Sequence, residues 1–423
     1  MKISLLKEKI ENGALSQYSN IYSDVNTQKS RFVKALEKYA QIYGEDGEVM
    51  ILSVPGRSEI SGNHTDHNLG KVLAGAIDRD IICVAARSSG DTVRLYSEGY
   101  GELAVPLSKT NTPSSFGKYT SEALIAGVIN GFRERGYAAG GFTAYLTSDV
   151  LKGSGISSSA AYEVMLGNVL NHLYNGGSVD NKTLAKIAKY AENVYFGKPS
   201  GLMDQMACAV GGFVYMDFEN HEEPLVEPID FSLEKCGFAL AIINTGGNHA
   251  DLNEDYSSVP REMHGIASLL GHESLRSASE TELLDNICFL RKAAGDRAVL
   301  RALHFFRENE RVSAIKDALK VQDVRAFLDG INESGSSSFK YLQNVYTNKN
   351  VREQGISLAL ALAEGILGKD GACRVHGGGF AGTVQVFIKR EKINALKALM
   401  DSVFGENSTL VLNVRPIGAA RLF

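Results

Sequence analysis

Along the chain, short unbroken apolar runs take turns with stretches whose apolar positions recur every three or four residues, the pattern of buried strands interleaved with amphipathic helices. Residues 30–43 place Phe32, Leu36, Tyr39 and Ile42 at helical spacing and stop at Gly44, so a helix precedes the first strand. Residues 47–54 (GEVMILSV), running into Pro55-Gly56, predict that strand, and residues 71–86 and 142–148 predict two more. From Ser157 the period turns helical through residue 174, and again over 183–195. The second half opens with expected strands at 212–217 and 237–243. Helices are then predicted over 259–270, 280–306, 315–328 and 351–367, and a final strand pair, 383–389 and 408–414, brackets a helix at 392–403. There is no internal repeat and no low-complexity linker, which predicts closely fused units with a cleft between them.

Composition narrows what such a chain does. Its 423 residues, 44% hydrophobic and 22% charged, are those of an ordinary globular protein with room for more than one domain. Lys plus Arg (44) against Asp plus Glu (49) leave a net charge of −5 with no basic block, so neither nucleic acid nor a membrane surface is the expected partner. Near-apolar stretches such as 356–363 fall far short of the ~20 residues that span a bilayer, and the charge-broken start Met1–Lys9 does not read as a signal peptide. Five scattered cysteines, Cys83, Cys208, Cys236, Cys288 and Cys373, form no CxxC pair, which points to a reducing, cytoplasmic setting.

Four segments carry chemistry. The loop Lys152-Gly153-Ser154-Gly155-Ile156-Ser157-Ser158-Ser159 opens directly into a helix, where glycines admit an anion close to the backbone and the first helical N–H groups favour negative charge. No Lys-Ser/Thr closes it, so it is not a Walker A loop. Residues 55–70 (PGRSEISGNHTDHNLG) crowd hydrogen-bonding side chains into one stretch, as a polar ligand requires, and their HxxH pair lacks the further ligands of a zinc site. Pro199-Ser200-Gly201-Leu202-Met203-Asp204 follows a helix carrying Glu192; a carboxylate there either orients a hydroxyl or caps the next helix. His376-Gly377-Gly378-Gly379 formally begins a GxGxxG, but a strand follows where a dinucleotide site needs a helix.

In this order the four segments resemble the GHMP kinase superfamily, its galactokinase branch most closely, over nearly the whole chain beyond the first ~25 residues. The resemblance implies a two-domain α/β (α+β) architecture with the active site in the interdomain cleft. An N-terminal domain over 25–215 would hold the phosphate and sugar loops, and a C-terminal domain over 216–423 the glycine-rich motif. It implies transfer of the ATP γ-phosphoryl to a sugar hydroxyl, with ATP and Mg²⁺ as cofactors and a small sugar as partner, in a monomer or weak homodimer. By motif, Asp204 and Arg57 take the catalytic positions, and Asn63, His64, Asp66, Gly201 and Tyr256 the sugar positions. Gly153, Ser154, Gly155, Ile156, Ser157, Ser158 and Ser159 match the ATP loop, and Ser159 and Glu192 the metal positions.

The departures from the family pattern are specific. Asn63 and His67 stand where Glu and Tyr are usual, Ser58-Glu59 where Val-Asn is usual, His376 for a threonine and Ala381 for a glycine. Because the family Glu at position 63 meets the sugar near its C6 hydroxyl, Asn63 opens the choice of sugar: galactose, a C6-modified relative such as galacturonate or an amino sugar, or a sugar bound without catalysis.

Overall fold

A computed structural model describes residues 1–22, 24–150, 155–247 and 252–423, so Gly153 and Ser154 lie outside the described residues. The first sheet is built from β1 (Met50–Ser61), β2 (Lys71–Arg87), β3 (Thr92–Ser97), β4 (Gly101–Pro106), β5 (Phe142–Ser148), β6 (Phe213–Asp217) and β7 (Leu225–Ile229). A second, four-stranded sheet follows from β8 (Phe238–Asn244), β9 (Ala372–His376), β10 (Thr383–Lys389) and β11 (Thr409–Leu412), in the order β11-β8-β10-β9 and antiparallel throughout. The C-terminal β12 (Ala420–Arg421) returns to pair with β1, giving the first sheet the order β12-β1-β2-β5-β3-β4. The long β2 pairs with β6 through Lys71–Gly75 and with β5 through Ile81–Arg87.

Helices α1 (Ile3–Glu11) and α2 (Val25–Tyr43) precede the sheet, and α3 (Ser121–Glu134), α4 (Ser158–Tyr174), α5 (Asn181–Tyr190) and α6 (Met203–Val210) lie within its chain segment. The strand period of two sorts the sheet's side chains. Leu52, Val54, Cys83 and Ala85 enter the main core with α3 to α6, while Ile51, Ile82 and Val84 pack on the opposite face with Phe32, Leu36 and Tyr39 of α2. Covering on both faces explains why β1 and β2 read as continuous apolar runs. The remaining helices are α7 (Asn253–Leu269), α8 (Glu280–Asp285), α9 (Ile287–Ala294), α10 (Asp296–Lys320), α11 (Val324–Ser337), α12 (Gly355–Leu367) and α13 (Ile393–Phe404). No helix among the described residues is long and apolar enough to cross a membrane.

Several expected boundaries move. The first strand continues past Pro55-Gly56 to Ser61, because the register slips between Pro55 and Arg57 and the pairing with β2 then resumes. The stretch 280–306 is three helices, broken at Asn286 and at Gly295, whose φ of 85° ends α9. Its last member runs to Lys320, and the break to α11 falls at 321–323, inside the helix expected over 315–328. The expected helix 183–195 ends at Tyr190 and continues as a widened turn over Ala191–Phe196. Strands β3, β4, β7 and β9 escaped the apolar-run criterion because polar residues interrupt them; β9 buries Arg374 and His376.

Candidate active site

β1 sets two charged residues on one face, Arg57 and Glu59, two positions apart. Arg57 donates from Nε to Asp204 Oδ1 at 2.8 Å and from Nη1 to the Gly155 carbonyl at 2.6 Å. Asp204 sits in the first turn of α6, where the helix dipole favours an anion, and Leu202 holds the cap position that Asp204 was the alternative candidate for. Ser157 precedes α4 with a left-handed φ of 61° and makes no side-chain cap; its Oγ donates instead to Asp204 Oδ2 at 2.7 Å. Burial pushes the Asp204 carboxyl up, but the Arg57 charge and the hydrogen bonds from Arg57 and Ser157 outweigh it and hold the group below the usual carboxylate range. Asp204 is therefore ionised at neutral pH, and with its side chain 34% exposed it opens onto a cleft of about 160 Å³.

The widened turn after α5 delivers Glu192 to the same cleft. Its Oε1 pairs with Lys198 Nζ at 2.9 Å, and its Oε2 accepts from Ser200 Oγ at 2.5 Å and Gln205 Nε2 at 2.8 Å. Gln205 Nε2 also reaches Glu163 Oε2 at 3.1 Å, whereas Glu163 Oε1 is buried without a hydrogen-bond partner. Burial, then the Glu192 charge, push the Glu163 carboxyl well up, toward its protonated form.

The opposite wall is stitched from distant parts of the chain. Glu59 Oε1 accepts from Arg374 Nη2 at 3.0 Å, 315 residues away, and from Asn63 Nδ2 at 2.9 Å. Asn63 Nδ2 also donates to the Gly377 carbonyl at 2.7 Å, and Asn63 Oδ1 accepts from Asn344 Nδ2 at 2.6 Å. Ser58 Oγ lies 3.1 Å from His376 Nε2. His64 Nε2 is 2.9 Å from the Gly378 carbonyl, which only accepts, so the proton is on Nε2. Burial drives the His64 pKa down to about 3 and that of His376 well below its ordinary value, leaving both rings neutral. The Tyr256 ring centre lies 5.1 Å from that of His64, and the ring packs against Gly378, where a Cβ would overlap it. This close approach is what the glycine run serves.

The cleft thus brings together Arg57, Asn63, His64, Asp66, Glu192, Gly201, Asp204 and Tyr256 from the sequence reading. It leaves Ser159 exposed in the first turn of α4 and not among the lining residues, while Ile156 is fully buried. Lys198, Gln205, Glu163 and Arg374 were missed. Lys198 and Gln205 stand beside motif residues, but nothing in the sequence links Arg374 to position 59.

The chain's likeness to known proteins follows the same geometry. The GHMP kinases N terminal domain matches residues 123–212, and the galactokinase galactose-binding signature matches residues 37–87. The chain is 29% identical to the galactokinase of Streptomyces coelicolor over 394 residues, 91% of this chain and 97% of that protein. It is likewise 29% identical to that of Thermotoga neapolitana over 371 residues, 88% and 98% of the two chains. The chain thus carries a match to the GHMP kinase N-terminal domain and to the galactokinase signature. Its fold is shared with the crystal structure of Lactococcus lactis galactokinase complexed with galactose, at a TM-score of 0.78, 23% identity and coverage of 92% of this chain and 100% of that one. Methanococcus jannaschii mevalonate kinase follows at a TM-score of 0.60, 16% identity and coverage of 88% and 100%. The family's N-terminal match holds Ser157, Glu192 and Asp204, and the signature holds Arg57 through Asp66; Arg374 and His376 lie outside both.

Proposed function

We propose that the chain is an ATP-dependent sugar 1-kinase that transfers the γ-phosphoryl of ATP to the anomeric hydroxyl of galactose. The observation that carries this reading is Asp204. One carboxylate oxygen is held by Arg57 and the other by Ser157 at the mouth of the phosphate loop, so a single ionised group joins the sugar cleft to the place where phosphates would lie. A hydroxyl presented to Asp204 donates its proton to the carboxylate and is aimed at the phosphoryl; in a loose transfer this orientation matters more than early proton removal. Arg57 keeps Asp204 ionised and faces the developing negative charge. The amides from Gly155 to Ser159, with the α4 N-terminus behind them, would receive the phosphates; Asn63, His64, Asp66, Gly201 and Tyr256 would surround the sugar.

The described residues contain no cluster of three His, Cys, Asp or Glu side chains suited to a metal. What they offer is hard oxygen, the Ser159 hydroxyl in the first turn of α4 and the Glu192 carboxylate in the cleft, with Glu163, one oxygen of which is unpartnered, joined to Glu192 through Gln205. Hard oxygens of this kind have the donor chemistry of a Mg²⁺ site completed by phosphate oxygens, and Ser159 and Glu192 would hold the ion. When bound, the ion neutralises charge on the phosphates. Lys198 now occupies Glu192 and, 53% exposed, is free to yield it. All five cysteines are unpaired, in keeping with a cytoplasmic enzyme, and we place it there as a monomer or weak homodimer.

An ADP-release assay across galactose, N-acetylgalactosamine, galacturonate, arabinose, glucose, mevalonate and homoserine tests the reading. Turnover is expected with galactose, with phosphorus NMR placing the phosphate on the anomeric oxygen. Turnover only with mevalonate or homoserine, or with none of the panel, overturns it.

A further inference from the structure

Glu59 is 5% exposed, yet it forms part of the cleft wall. Its Oε1 already accepts two hydrogen bonds, from Arg374 and from Asn63. Its Oε2 accepts from no described residue and is not among the buried oxygens left without a partner, so this second oxygen faces the cleft. The residues around it are already committed. Both N–H groups of Asn63 are used on Glu59 and Gly377, and the one N–H of neutral His64 is used on Gly378. Glu59 is thus an open carboxylate acceptor on this wall, as Asp66 is in the same cleft, and it is held in place by a fully buried arginine.

Its position along β1 says which part of the substrate it meets. Arg57 is paired with Asp204, where the reacting hydroxyl would lie, and Glu59 is on the same strand face two residues further on. Two residues of strand advance about 7 Å, roughly the span of a pyranose ring with its substituents. Glu59 therefore stands at the end of the ring away from the anomeric carbon.

Resting on the galactose reading above, we propose that Glu59 is a specificity-determining residue: its Oε2 accepts a hydrogen bond from the C4 or C6 hydroxyl of the sugar, and the same carboxylate repels a hexuronate. Asn63 then acts as a brace that holds Glu59 and the glycine turn together. The carboxylate reaches the sugar from β1 while the loop at position 63 stays neutral.

The test is a matrix of kcat/KM values for wild type, Glu59→Gln and Glu59→Asp on galactose, 4-deoxygalactose, 6-deoxygalactose and galacturonate. Wild type is expected to lose about tenfold to a hundredfold on one of the two deoxysugars, the usual size for a hydrogen bond to a charged group. Glu59→Gln should lose at least tenfold on galactose, mainly through KM, no longer distinguish galactose from that deoxysugar, and raise the galacturonate-to-galactose ratio at least tenfold. Glu59→Asp should recover part of the discrimination. A merely structural Glu59 would lower all four sugars together, and that result overturns the proposal. The sugar series needs no variant: a wild type that uses both deoxysugars as well as galactose also overturns it. Wild type without turnover of galactose overturns the kinase reading and this proposal with it, whereas galactose turnover with an unmoved matrix overturns this proposal alone.

Discussion

The two walls of the cleft are built in opposite ways. The reaction wall, Arg57, Asp204, Ser157, Glu192 and Lys198, joins its groups by direct ion pairs and hydrogen bonds, and although Arg57 and Glu192 are buried, each pairs with a group that reaches water, Asp204 at 34% and Lys198 at 53% exposed. The sugar wall, Glu59, Asn63, His64, Arg374 and His376, is closed: its arginine is fully buried, its histidines are neutral, and its hydrogen bonds run between β1, the following loop and the turn between β9 and β10. Water can take up a group released from the first wall. A polar partner removed from the second is stranded in a dry interior, where it costs several kcal/mol. Substitutions on the reaction wall should therefore act on turnover, and those on the sugar wall on folding as well.

The largest effect expected is from Asp204→Asn, about a thousandfold in kcat, with unfolding free energy changed by only about 1 kcal/mol because Asn keeps an acceptor for Arg57. Steady-state kinetics beside a denaturant titration checks both halves, and an equal loss of stability would break the contrast between the walls. Next, Arg374→Met leaves the Glu59 carboxylate buried without its countercharge and should cost about 3 kcal/mol of stability, read by the same titration.

Arg57→Ala should cost about a hundredfold in kcat/KM and also move the pH profile. In the wild type Asp204 is held below its ordinary pKa despite burial, so its ionised form persists as pH falls. Without the guanidinium, burial dominates, the carboxyl pKa rises, and the acid limb of kcat/KM shifts to higher pH.

The smallest effect sharpens the account of the sugar wall. His64 is neutral in the folded protein with a pKa near 3, while its unfolded value is about 6.5. Between those values the unfolded chain binds the proton and the folded chain does not, so stability falls as pH drops below 6.5. The His64 share should be about 2 kcal/mol between pH 7 and 5. His64→Asn, which suits the left-handed φ of 60° at this position, should flatten the pH dependence of stability by that amount.

Much of the reaction wall was legible from the chain because its chemistry is local. Asp204 follows Pro199-Ser200-Gly201 in one short segment, Glu192 sits at the end of the preceding helix, and Ser157 belongs to a serine-glycine loop opening a helix. Short motifs of this kind carry their own backbone geometry, so spacing made Asp204 and the serine-glycine loop candidates, while Glu192 was implied by the family resemblance. The buried strands β1, β2, β5, β8 and β10 were legible because burial on two faces writes a continuous apolar run, and most helices by their three-to-four-residue period, though α1, α3 and α6 were not expected. The strands β3, β4 and β7, interrupted by polar residues, leave no such trace, and β9 is hidden by the buried arginine and histidine within it.

By itself, then, the sequence determined the mixed α/β class and the phosphate loop, because these follow from periodicity and from motifs a few residues long, while the family resemblance implied Arg57 and Asp204 as catalytic candidates. It also showed Ser58, Glu59, Asn63 and His376 as four separate departures from the family pattern. Only the tertiary structure decided that they are one cluster: antiparallel pairing of β9 with β10 and the fold of the glycine turn bring Arg374 and His376 against β1, more than 300 residues earlier in the chain. A contact across that separation depends on sheet register and on the close approach of glycine backbone to Tyr256, and neither leaves a local pattern for spacing to report.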